Sequence, residues 1–372
     1  MEEKTGTLET LEMKQLFGNI YKNKNVLVTG HTGFKGSWLT LWLNKLNANV
    51  YGIALPPPTQ PNHFDLIDNK IESYLQDICN LSIIKKIMHK INPEIIFHLA
   101  AQPLVKYSYQ EPVFTYMTNI MGTVNILEIA KTLKRIKAII IITSDKCYEN
   151  KEWIWSYREN ESMGGADPYS SSKACAELIT SAYRSSFFNS PNSAIIASAR
   201  SGNVIGGGDW ANDRIMTDII RSANTGKPVK LRYPHATRPW QHVLEPLSGY
   251  LMLGWKLLKG KNEFSGGWNF GPTNENNVTV LELVLESKRN WEKIRYDFDK
   301  KENFHESNYL MLDSTKANKL LNWKPVWNFE KTVKNTMHWY KKYYENNTVI
   351  SEEILNNYIL DARYQKLIWC EK

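Results

Sequence analysis

The sequence predicts an α/β protein, in which a parallel sheet covered on both faces by helices is followed by a smaller mixed α/β lobe. Five short apolar runs indicate strands, at residues 25–29, 49–53, 94–98, 138–143 and 194–199. Helical patterns separate them, at residues 36–46, 81–91, 113–133 and 168–188. Fully apolar strands that alternate with helices are typical of a doubly wound parallel sheet.

The alternation weakens after residue 200, where segments rich in Gly, Trp and Pro appear at residues 206–210, 238–240 and 266–268. These segments predict loops of a mixed second lobe, and residues 331–344 indicate a helix rich in aromatic side chains. We therefore expect four regions: an N-terminal extension (1–22), a first domain (23–200), a second lobe with some segments interleaved with the first domain (201–345), and a C-terminal extension (346–372).

Composition narrows the class of protein. The chain has 372 residues, of which 42% are hydrophobic, enough for two domains or one large unit. No apolar run approaches the roughly 18 residues of a membrane span, and residues 1–22 lack the apolar centre of a secretory signal. The net charge is +8, but the lysines are dispersed, which favours anionic small molecules over nucleic acid.

The four cysteines show no CxxC pair and no spacing with histidine that would suit a metal. They are Cys79, Cys147, Cys175 and Cys370. The expectation is a cytoplasmic protein with reduced thiols and no metal site.

A glycine-rich loop follows the first strand and opens the first helix. Gly30, Gly33 and Gly36 have the spacing GxxGxxG. Glycine permits the tight turn and lets the backbone approach a pyrophosphate, which then lies at the helix N-terminus. The first domain is therefore predicted to be a Rossmann-type domain that binds a dinucleotide.

The adenosine end of that site is less clear from the sequence. The second strand leads into residues 54–58, Ala-Leu-Pro-Pro-Pro, without the carboxylate that usually binds the ribose of NAD. His31 and Lys35 in the loop could instead contact a 2′-phosphate, so both NAD and NADP stay open. Asp77 and Ile78 could lie near the adenine amino group.

Tyr169 and Lys173 form a candidate catalytic pair. Asp167 and Pro168 are predicted as the N-cap and first residue of a helix, which places Tyr169 and Lys173 one turn apart on one face. A tyrosine has a pKa near 10, but a neighbouring ammonium and an oxidised nicotinamide favour the phenolate. Tyr169 could then take a proton from a sugar hydroxyl as hydride leaves, with Ser144 hydrogen-bonded to that hydroxyl.

With these motifs in place, the chain resembles the extended short-chain dehydrogenase/reductase family, and within it the CDP-glucose 4,6-dehydratases. The resemblance spans residues 25–340. It is carried by GHTGFKGSWL (30–39), HLAAQ (98–102), TSDKCY (143–148), DPYSSSK (167–173), RSGNVIGGGDW (200–210), RPWQHV (238–243), LD (312–313) and WKP (323–325). The glycine loop and YxxxK are general to the superfamily, whereas GHTGFKGSWL, GGGDW and RPWQHV are more specific.

The resemblance implies conversion of CDP-glucose to CDP-4-keto-6-deoxyglucose and water, within deoxysugar and surface polysaccharide (O-antigen) biosynthesis. Tightly bound NAD would take hydride from C4, with Tyr169 as base and Lys173 lowering its pKa. Water would leave across C5 and C6, and the hydride would return to C6. Asp145 would protonate the C6 hydroxyl.

Lys146 departs from the related dTDP-glucose dehydratases, which have a glutamate there as the base at C5. A lysine can act as a base only if its pKa falls well below about 10.4. Otherwise Lys146 stabilises the enolate electrostatically, and Tyr169 or water removes the proton. The CDP-glucose branch resembles this chain in having lysine, so the substitution supports that branch.

The resemblance also implies further contacts. Those expected for the cofactor are Gly30, Thr32, Gly33, Phe34, Lys35, Gly36, Asp77, Ile78, Leu99, Ala100, Ala101, Tyr169 and Lys173. Those expected for the sugar nucleotide are Arg200, Asn203, Asp209, Trp210, Arg214, Arg238 and Gln241. The arginines suit phosphate oxygens, and Trp210 could either stack on the base or fill the lobe interface.

Three alternatives stay open at this point. The chain could be a dehydratase of a GDP-, UDP- or dTDP-sugar, a sugar-nucleotide 4-epimerase, or a regulator that binds NAD(P) without turnover. Asp145 and Lys146 disfavour an epimerase, and Tyr169 with Lys173 disfavours the regulator. No nucleic acid or membrane partner is expected. A homodimer or homotetramer is expected, formed through helices that begin near residues 113 and 168.

Overall fold

The computed structural model describes residues 15–273, 277–299 and 310–371. Its strands are β1 (Asn25–Thr29), β2 (Asn49–Ala54), β3 (Glu72–Leu75), β4 (Ile95–His98), β5 (Ala138–Ile142), β6 (Ile195–Ser201), β7 (Val204–Ile205), β8 (Val229–Leu231), β9 (Thr237–Pro239), β10 (Gln241–His242), β11 (Gly266–Phe270), β12 (Asn277–Thr279) and β13 (Tyr296–Phe298). Seven of them form a parallel sheet in the order β11-β6-β5-β4-β1-β2-β3. The predicted doubly wound fold is confirmed, and all five predicted strands lie in this sheet.

The α-helices surround that sheet and build the second lobe. They are α1 (Phe34–Lys45), α2 (His63–Leu66), α3 (Leu81–Ile91), α4 (Val105–Gln110), α5 (Pro112–Tyr116), α6 (Gly122–Ala130), α7 (Pro168–Phe187), α8 (Ile215–Thr225), α9 (Leu244–Leu258), α10 (Val280–Asn290), α11 (Phe329–Asn346) and α12 (Ser351–Tyr364). Across the ranges that the model describes, no helix has the length and apolar character needed to cross a membrane.

The sheet separates two hydrophobic clusters. On one face, Ile84 and Met88 of α3 lie against Ile126 of α6 and the β4–β5 strands. On the other, Trp38 and Trp42 of α1 join residues of α9, α11 and α12 in a larger cluster. Because α1 is covered by the sheet and by the C-terminal helices, eight consecutive residues of it, 36–43, are buried. This explains why its sequence is apolar nearly all round.

Two strands of the sheet were not predicted. β3 is an edge strand with exposed residues, so its sequence lacks the apolar run of a central strand. β11 contains the Gly-Gly-Trp segment that we predicted as a loop of the second lobe, and that prediction is wrong. It pairs in parallel with β6 and closes the other edge of the sheet, which brings a segment far beyond residue 200 into the first domain.

Both predicted extensions are wrong where the structure describes them. Phe17 is buried and stacks on Trp369, with ring centroids 5.1 Å apart. Tyr21 is buried and donates a hydrogen bond of 2.6 Å to the carbonyl of Leu251. Large aromatic side chains at both ends complete the core, since each buries a large apolar area. Residues 1–14 of the predicted N-terminal extension lie outside the described residues.

The helix predicted at residues 113–133 contains a π-helical turn at Met117–Met121, between α5 and α6, and ends at Ala130. Asn119 in this turn is buried, and its amide donates to the Gln102 carbonyl (3.1 Å) and to Ser172 Oγ (2.8 Å). The turn therefore connects the loop after β4 to α7, the helix that carries the predicted catalytic pair.

Candidate active site

The predicted site lies at the carboxyl ends of β1, β4, β5 and β6, where the strand order reverses. β1 lies between β4 and β2, so the chain leaves β1 in one direction and returns for β4 on its other side. Open α/β sheets bind their ligands at such a switch point. The glycine loop follows β1, the Ser144–Lys146 segment follows β5, and Ser201 ends β6.

The glycine loop has the geometry of a pyrophosphate cradle. Gly30 has φ +75°, and a Cβ there would lie 2.7 Å from the backbone nitrogen of Ala100. A Cβ at Gly36 would lie 2.1 Å from the Gly30 carbonyl oxygen. Gly33 is the N-cap of α1 and gives it no side-chain cap, so N–H groups of the first turn stay open to an anion. These residues fit a dinucleotide.

Neighbouring segments hold this loop in place. The Ala100 N–H donates to Thr29 Oγ1 at 3.2 Å, which fixes the chain after β4 against the end of β1. Thr32 Oγ1 donates to the Leu55 carbonyl at 2.9 Å, which ties the loop to the chain after β2. Leu99, Ala100 and Thr32 therefore lie beside the cradle, and their contacts with a cofactor stay predictions.

The loop does not present two cations to a 2′-phosphate. His31 is fully buried, with Nε2 2.7 Å from Ser73 Oγ, and burial lowers its pKa to about 4. It is therefore neutral at pH 7. Lys35 extends from α1 towards β6, where Nζ donates to Ser201 Oγ at 2.6 Å. The prediction that these two residues meet a 2′-phosphate is wrong.

The predicted adenine-side pair lies in the loop after β3. Ile78 is buried, and a Cβ at Gly122 would lie 2.4 Å from its Cδ1. Asp77 Oδ1 accepts from the Cys79 N–H at 2.8 Å. The Ile78 side chain is thus a packing contact, and an adenine contact of Asp77 stays a prediction.

The start of α7 is formed as predicted. Asp167 is the N-cap, and its side chain accepts from the Ser170 N–H at 2.9 Å. Pro168 occupies the first turn, where a missing N–H costs nothing. Tyr169 and Lys173 follow one turn apart, and both are buried.

Burial, rather than a free ammonium, dominates the pKa of Tyr169. It raises that pKa to about 12, while a hydrogen bond with Ser144 and the charge of Arg214 oppose the rise. Burial lowers the pKa of Lys173 to about 8, and its Nζ donates to the Ile142 carbonyl at 3.4 Å. In this structure Ser144 and Arg214 favour the phenolate, whereas the sequence predicts that Lys173 does so.

Ser144 joins the phenol to a carboxyl group. It is the N-cap of a 3-10 turn at Asp145–Cys147, and its Oγ donates to Asp145 Oδ1 at 2.8 Å. Asp145 is buried, and this burial raises the pKa of its carboxyl group. A raised pKa suits an acid that must hold its proton until it donates it. Lys146 is partly exposed, and its ammonium makes no hydrogen bond within the described ranges.

Arg200 is placed elsewhere than we predicted. Its guanidinium forms a two-pronged ion pair with Glu177, with Nε to Oε1 at 2.9 Å and Nη2 to Oε2 at 2.8 Å. Its Nη1 donates to Tyr148 Oη and to the Glu159 carbonyl. Both charged side chains are almost fully buried. The prediction that Arg200 binds a phosphate is therefore wrong, because its donors hold β6 to α7.

Trp210 and Gln241 are both buried in this fold. Trp210 is buried among the aromatic rings of α11, and its Nε1 donates to Tyr344 Oη at 2.9 Å. It fills the lobe interface, which was one of the two predicted roles. Gln241 is fully buried and donates to the Phe270 carbonyl at 3.0 Å. The Trp210 indole thus packs in the interface, whereas a substrate contact by Gln241, whose Oε1 has no hydrogen-bond partner among the described residues, stays a prediction.

The remaining predicted substrate residues are Asn203, Asp209, Arg214 and Arg238. Arg214 forms an ion pair with Asp209 at 2.5 Å and acts electrostatically on Tyr169. Arg238, on β9, donates to the Thr237 carbonyl at 2.7 Å. Asn203 follows β6, and its carbonyl accepts from the Gln241 N–H. Substrate contacts by Asn203, Asp209, Arg214 and Arg238 stay predictions.

Sequence reasoning missed two residues at the site. Ser201 Oγ bonds to both Lys35 Nζ and, at 3.0 Å, to Tyr250 Oη. The RSGN motif held the signal for Ser201, but no local pattern marked Tyr250, which comes from α9. In the described ranges, no cluster of three or more His, Cys, Asp or Glu residues is placed to hold a metal ion.

Comparison with known proteins finds sugar-nucleotide dehydratases among the similar proteins. The family model described as GDP-mannose 4,6 dehydratase matches residues 27–336. A CDP-glucose 4,6-dehydratase of Salmonella typhimurium is 47% identical over 350 residues, which cover 92% of this chain and 98% of that protein. A dTDP-glucose 4,6-dehydratase of Haemophilus influenzae is 28% identical over 337 residues, covering 85% and 97%.

Solved structures share the fold. An epimerase of Methanothermobacter thermautotrophicus superposes with a TM-score of 0.77 at 23% identity, covering 91% of this chain and 97% of that one. The dTDP-glucose 4,6-dehydratase of Bacillus anthracis, in complex with NAD, has a TM-score of 0.69 at 22% identity, covering 86% and 97%.

Proposed function

The chain belongs to the GDP-mannose 4,6 dehydratase family, and we propose that it converts CDP-glucose to CDP-4-keto-6-deoxyglucose and water. It is an NAD-dependent hydro-lyase of nucleotide-sugar metabolism, and its product is consistent with deoxysugar biosynthesis. The 47% identity to a CDP-glucose 4,6-dehydratase supports CDP-glucose over the dTDP-, GDP- and UDP-sugars.

One observation carries the dehydratase assignment. The buried carboxyl group of Asp145 is hydrogen-bonded to Ser144, which also bonds the Tyr169 phenol. The base for C4 oxidation is thus one hydroxyl away from an acid whose pKa is raised by burial. A 4-epimerase needs no acid at C6, and a regulator without turnover needs neither group.

The residues of the chain divide the steps between them. Tyr169 accepts the proton of the C4 hydroxyl as its hydride leaves, and Ser144 holds that hydroxyl. The resulting 4-ketone acidifies the C5 hydrogen. Asp145 then protonates the C6 hydroxyl, which leaves as water. The C5 proton passes to water, and Lys146, next to Asp145, supplies positive charge that stabilises the negative charge formed on the ketone as this proton leaves.

The cofactor site is the glycine cradle between β1 and α1. Gly30, Gly33 and the first turn of α1 would hold the pyrophosphate, and Ala100 lies beside them. When bound, NAD⁺ supplies the acceptor that keeps the C4 hydride until its return to C6, and a positive charge that favours the Tyr169 phenolate.

A substrate panel tests this assignment. The purified protein with NAD would be incubated with CDP-, dTDP-, GDP- and UDP-glucose, and products identified by mass spectrometry and NMR. We expect a 4-keto-6-deoxy product from CDP-glucose alone. A product from another nucleotide would move the assignment to that sugar, an inverted C4 centre would indicate an epimerase, and bound nucleotide without turnover would indicate a regulator.

We further propose that two copies pair through the helical segment 112–130 and α7. Apolar side chains on these elements are exposed, which is unusual for a surface that stays in water. They are Val113 (74%), Met117 (46%), Met121 (42%) and Leu178 (59%). A second copy placing the same two elements against them would bury all four in a self-complementary, isologous interface.

A further inference from the structure

Lys35 lies at the junction of the cofactor cradle and the catalytic acid. It is the second residue of α1, directly after the glycine loop. Its side chain does not turn towards the ribose end of the cradle but spans to β6, where Nζ donates to Ser201 Oγ at 2.6 Å. Ser201 is buried and bonds in turn to Tyr250 Oη, so the ammonium is anchored at a defined point.

That anchor point faces Asp145. The residue after Ser201 is Gly202, and a Cβ built on it would lie 3.0 Å from Asp145 Oδ2. Asp145 thus directs one oxygen to Ser144 and the other to the turn where Lys35 is held. The two charges act on each other: the carboxylate raises the pKa of Lys35, and the ammonium lowers the pKa of Asp145.

The charged groups around Lys35 affect its protonation state. Arg214 and Lys173 disfavour its positive charge and Asp145 favours it, while Ser201 accepts its hydrogen bond. Burial is the largest cause that lowers the pKa of Lys35, which is about 7. At pH 6 the side chain therefore carries its positive charge in most molecules.

We propose that Lys35 is a positioning residue for the elimination step, whose ammonium, held by Ser201, stabilises the Asp145 carboxylate formed when the C6 hydroxyl leaves. In that step the C5–H bond breaks and its proton passes to water, a C5=C6 double bond forms, and the C6–O bond breaks as the proton of Asp145 moves to the departing oxygen, which leaves as water. The carboxyl group becomes negative in a buried site, where a nearby fixed cation is worth more than in water. This inference rests on the proposed dehydratase function.

The proposed role of Lys35 follows from two opposed requirements on Asp145. Burial favours the protonated form of Asp145 before reaction, but the same burial penalises the carboxylate after the proton has gone. A cation that is already in place lowers that second cost without the solvent reorganisation that water would need. Oxidation at C4 places no such charge on Asp145, so Lys35 should matter for elimination and little for oxidation.

The test compares Lys35→Met with Lys35→Arg at pH 6. Methionine keeps a similar length without charge, and arginine keeps the charge but cannot act as a base at this pH. Lys45→Met, on the same helix but in an exposed ion pair with Glu352, is the matched control. Single-turnover absorbance of reduced nicotinamide reports C4 oxidation, and formation of the 4-keto-6-deoxy product reports elimination.

We expect Lys35→Met to oxidise C4 within threefold of the wild type but to eliminate water about tenfold more slowly or worse, so reduced nicotinamide accumulates. Lys35→Arg should restore elimination, and Lys45→Met should match the wild type. The ratio of NAD to NADP affinity, measured by calorimetry, should not change in Lys35→Met.

Several results would overturn this role. Wild-type elimination by Lys35→Met would remove Lys35 from the step, and equal loss of oxidation and elimination would make it a general structural residue. Loss of elimination in both Lys35→Met and Lys35→Arg would indicate that Lys35 carries a proton instead of acting as a fixed charge. A selective change in NADP affinity would show that Lys35 contacts the cofactor. If the wild type forms no 4-keto product, the proposed function itself fails.

Discussion

Replacing Arg200 by methionine separates a structural ion pair from a substrate contact. Arg200 and Glu177 have side-chain exposures of only 5% and 4%, and two hydrogen bonds of 2.9 and 2.8 Å join them. In Arg200→Met, Glu177 keeps only the hydroxyls of Thr143 and Ser198 as side-chain partners. The substitution therefore leaves a buried carboxylate without its counter-charge.

The expected cost is about 3–5 kcal/mol of unfolding free energy at pH 8, the range for removing one partner of a buried pair. The sign of the pH dependence follows from Glu177. Arg200 holds the pKa of that carboxyl below its usual value, whereas burial alone raises it. The variant should therefore be destabilised more at pH 8 than at pH 5, where protonation removes the unpaired charge.

Urea denaturation followed by circular dichroism at both pH values measures this cost. The double variant Arg200→Met/Glu177→Leu should recover most of it, because no buried charge is then left. Arg221→Met, which breaks an exposed pair with Asp218, is the matched control and should cost less than about 1 kcal/mol. A stable Arg200→Met protein whose KM for CDP-glucose rises more than tenfold would refute our structural reading.

Three further changes probe the chemistry and the assembly. Lys146→Ala should retain C4 oxidation, seen as trapped reduced nicotinamide, but lose water elimination. Lys146→Arg should keep elimination if Lys146 acts as a fixed charge and lose it if Lys146 acts as a base. Normal product formation by Lys146→Ala would remove Lys146 from the mechanism. Gly202→Ala puts a methyl group 3.0 Å from Asp145 Oδ2, so elimination should slow several-fold in product assays while C4 oxidation persists. Equal slowing of elimination and oxidation would contradict the placement of Asp145 as the acid. Leu178→Glu should halve the mass measured by light scattering, whereas Leu360→Glu, which changes a similarly exposed leucine on α12, should not. Unchanged assembly in both variants would exclude the proposed interface.

The elements that the sequence predicted well are those with strong local patterns. β5 is five apolar residues, all buried, and its neighbours in the sheet are similar. Asp167 and Pro168 mark the start of α7 because capping depends only on nearby backbone groups. The edge strand β3 and the Gly-Gly-Trp strand β11 carry no such pattern, since their pairing depends on strands distant in sequence.

At the site, residue type was easier to predict than side-chain direction. The motifs identified Tyr169, Lys173, Ser144 and Asp145, which the fold brings together. They could not show that Arg200 turns to Glu177, 23 residues earlier on another element. The direction of a long side chain depends on such tertiary partners, and a sequence motif does not list them.

The site concentrates positive charge, which gives the basic composition a specific meaning. Lys35, Lys173 and Arg214 all act on one another or on the Tyr169–Asp145 pair, and burial lowers the pKa of both lysines. Arg214 is already paired with Asp209, but charging the two buried lysines stays costly until more negative charge enters the site. A nucleoside diphosphate brings that charge, and by attraction it raises the pKa of nearby lysines. Substrate binding should therefore strengthen the positive charges that the elimination step requires.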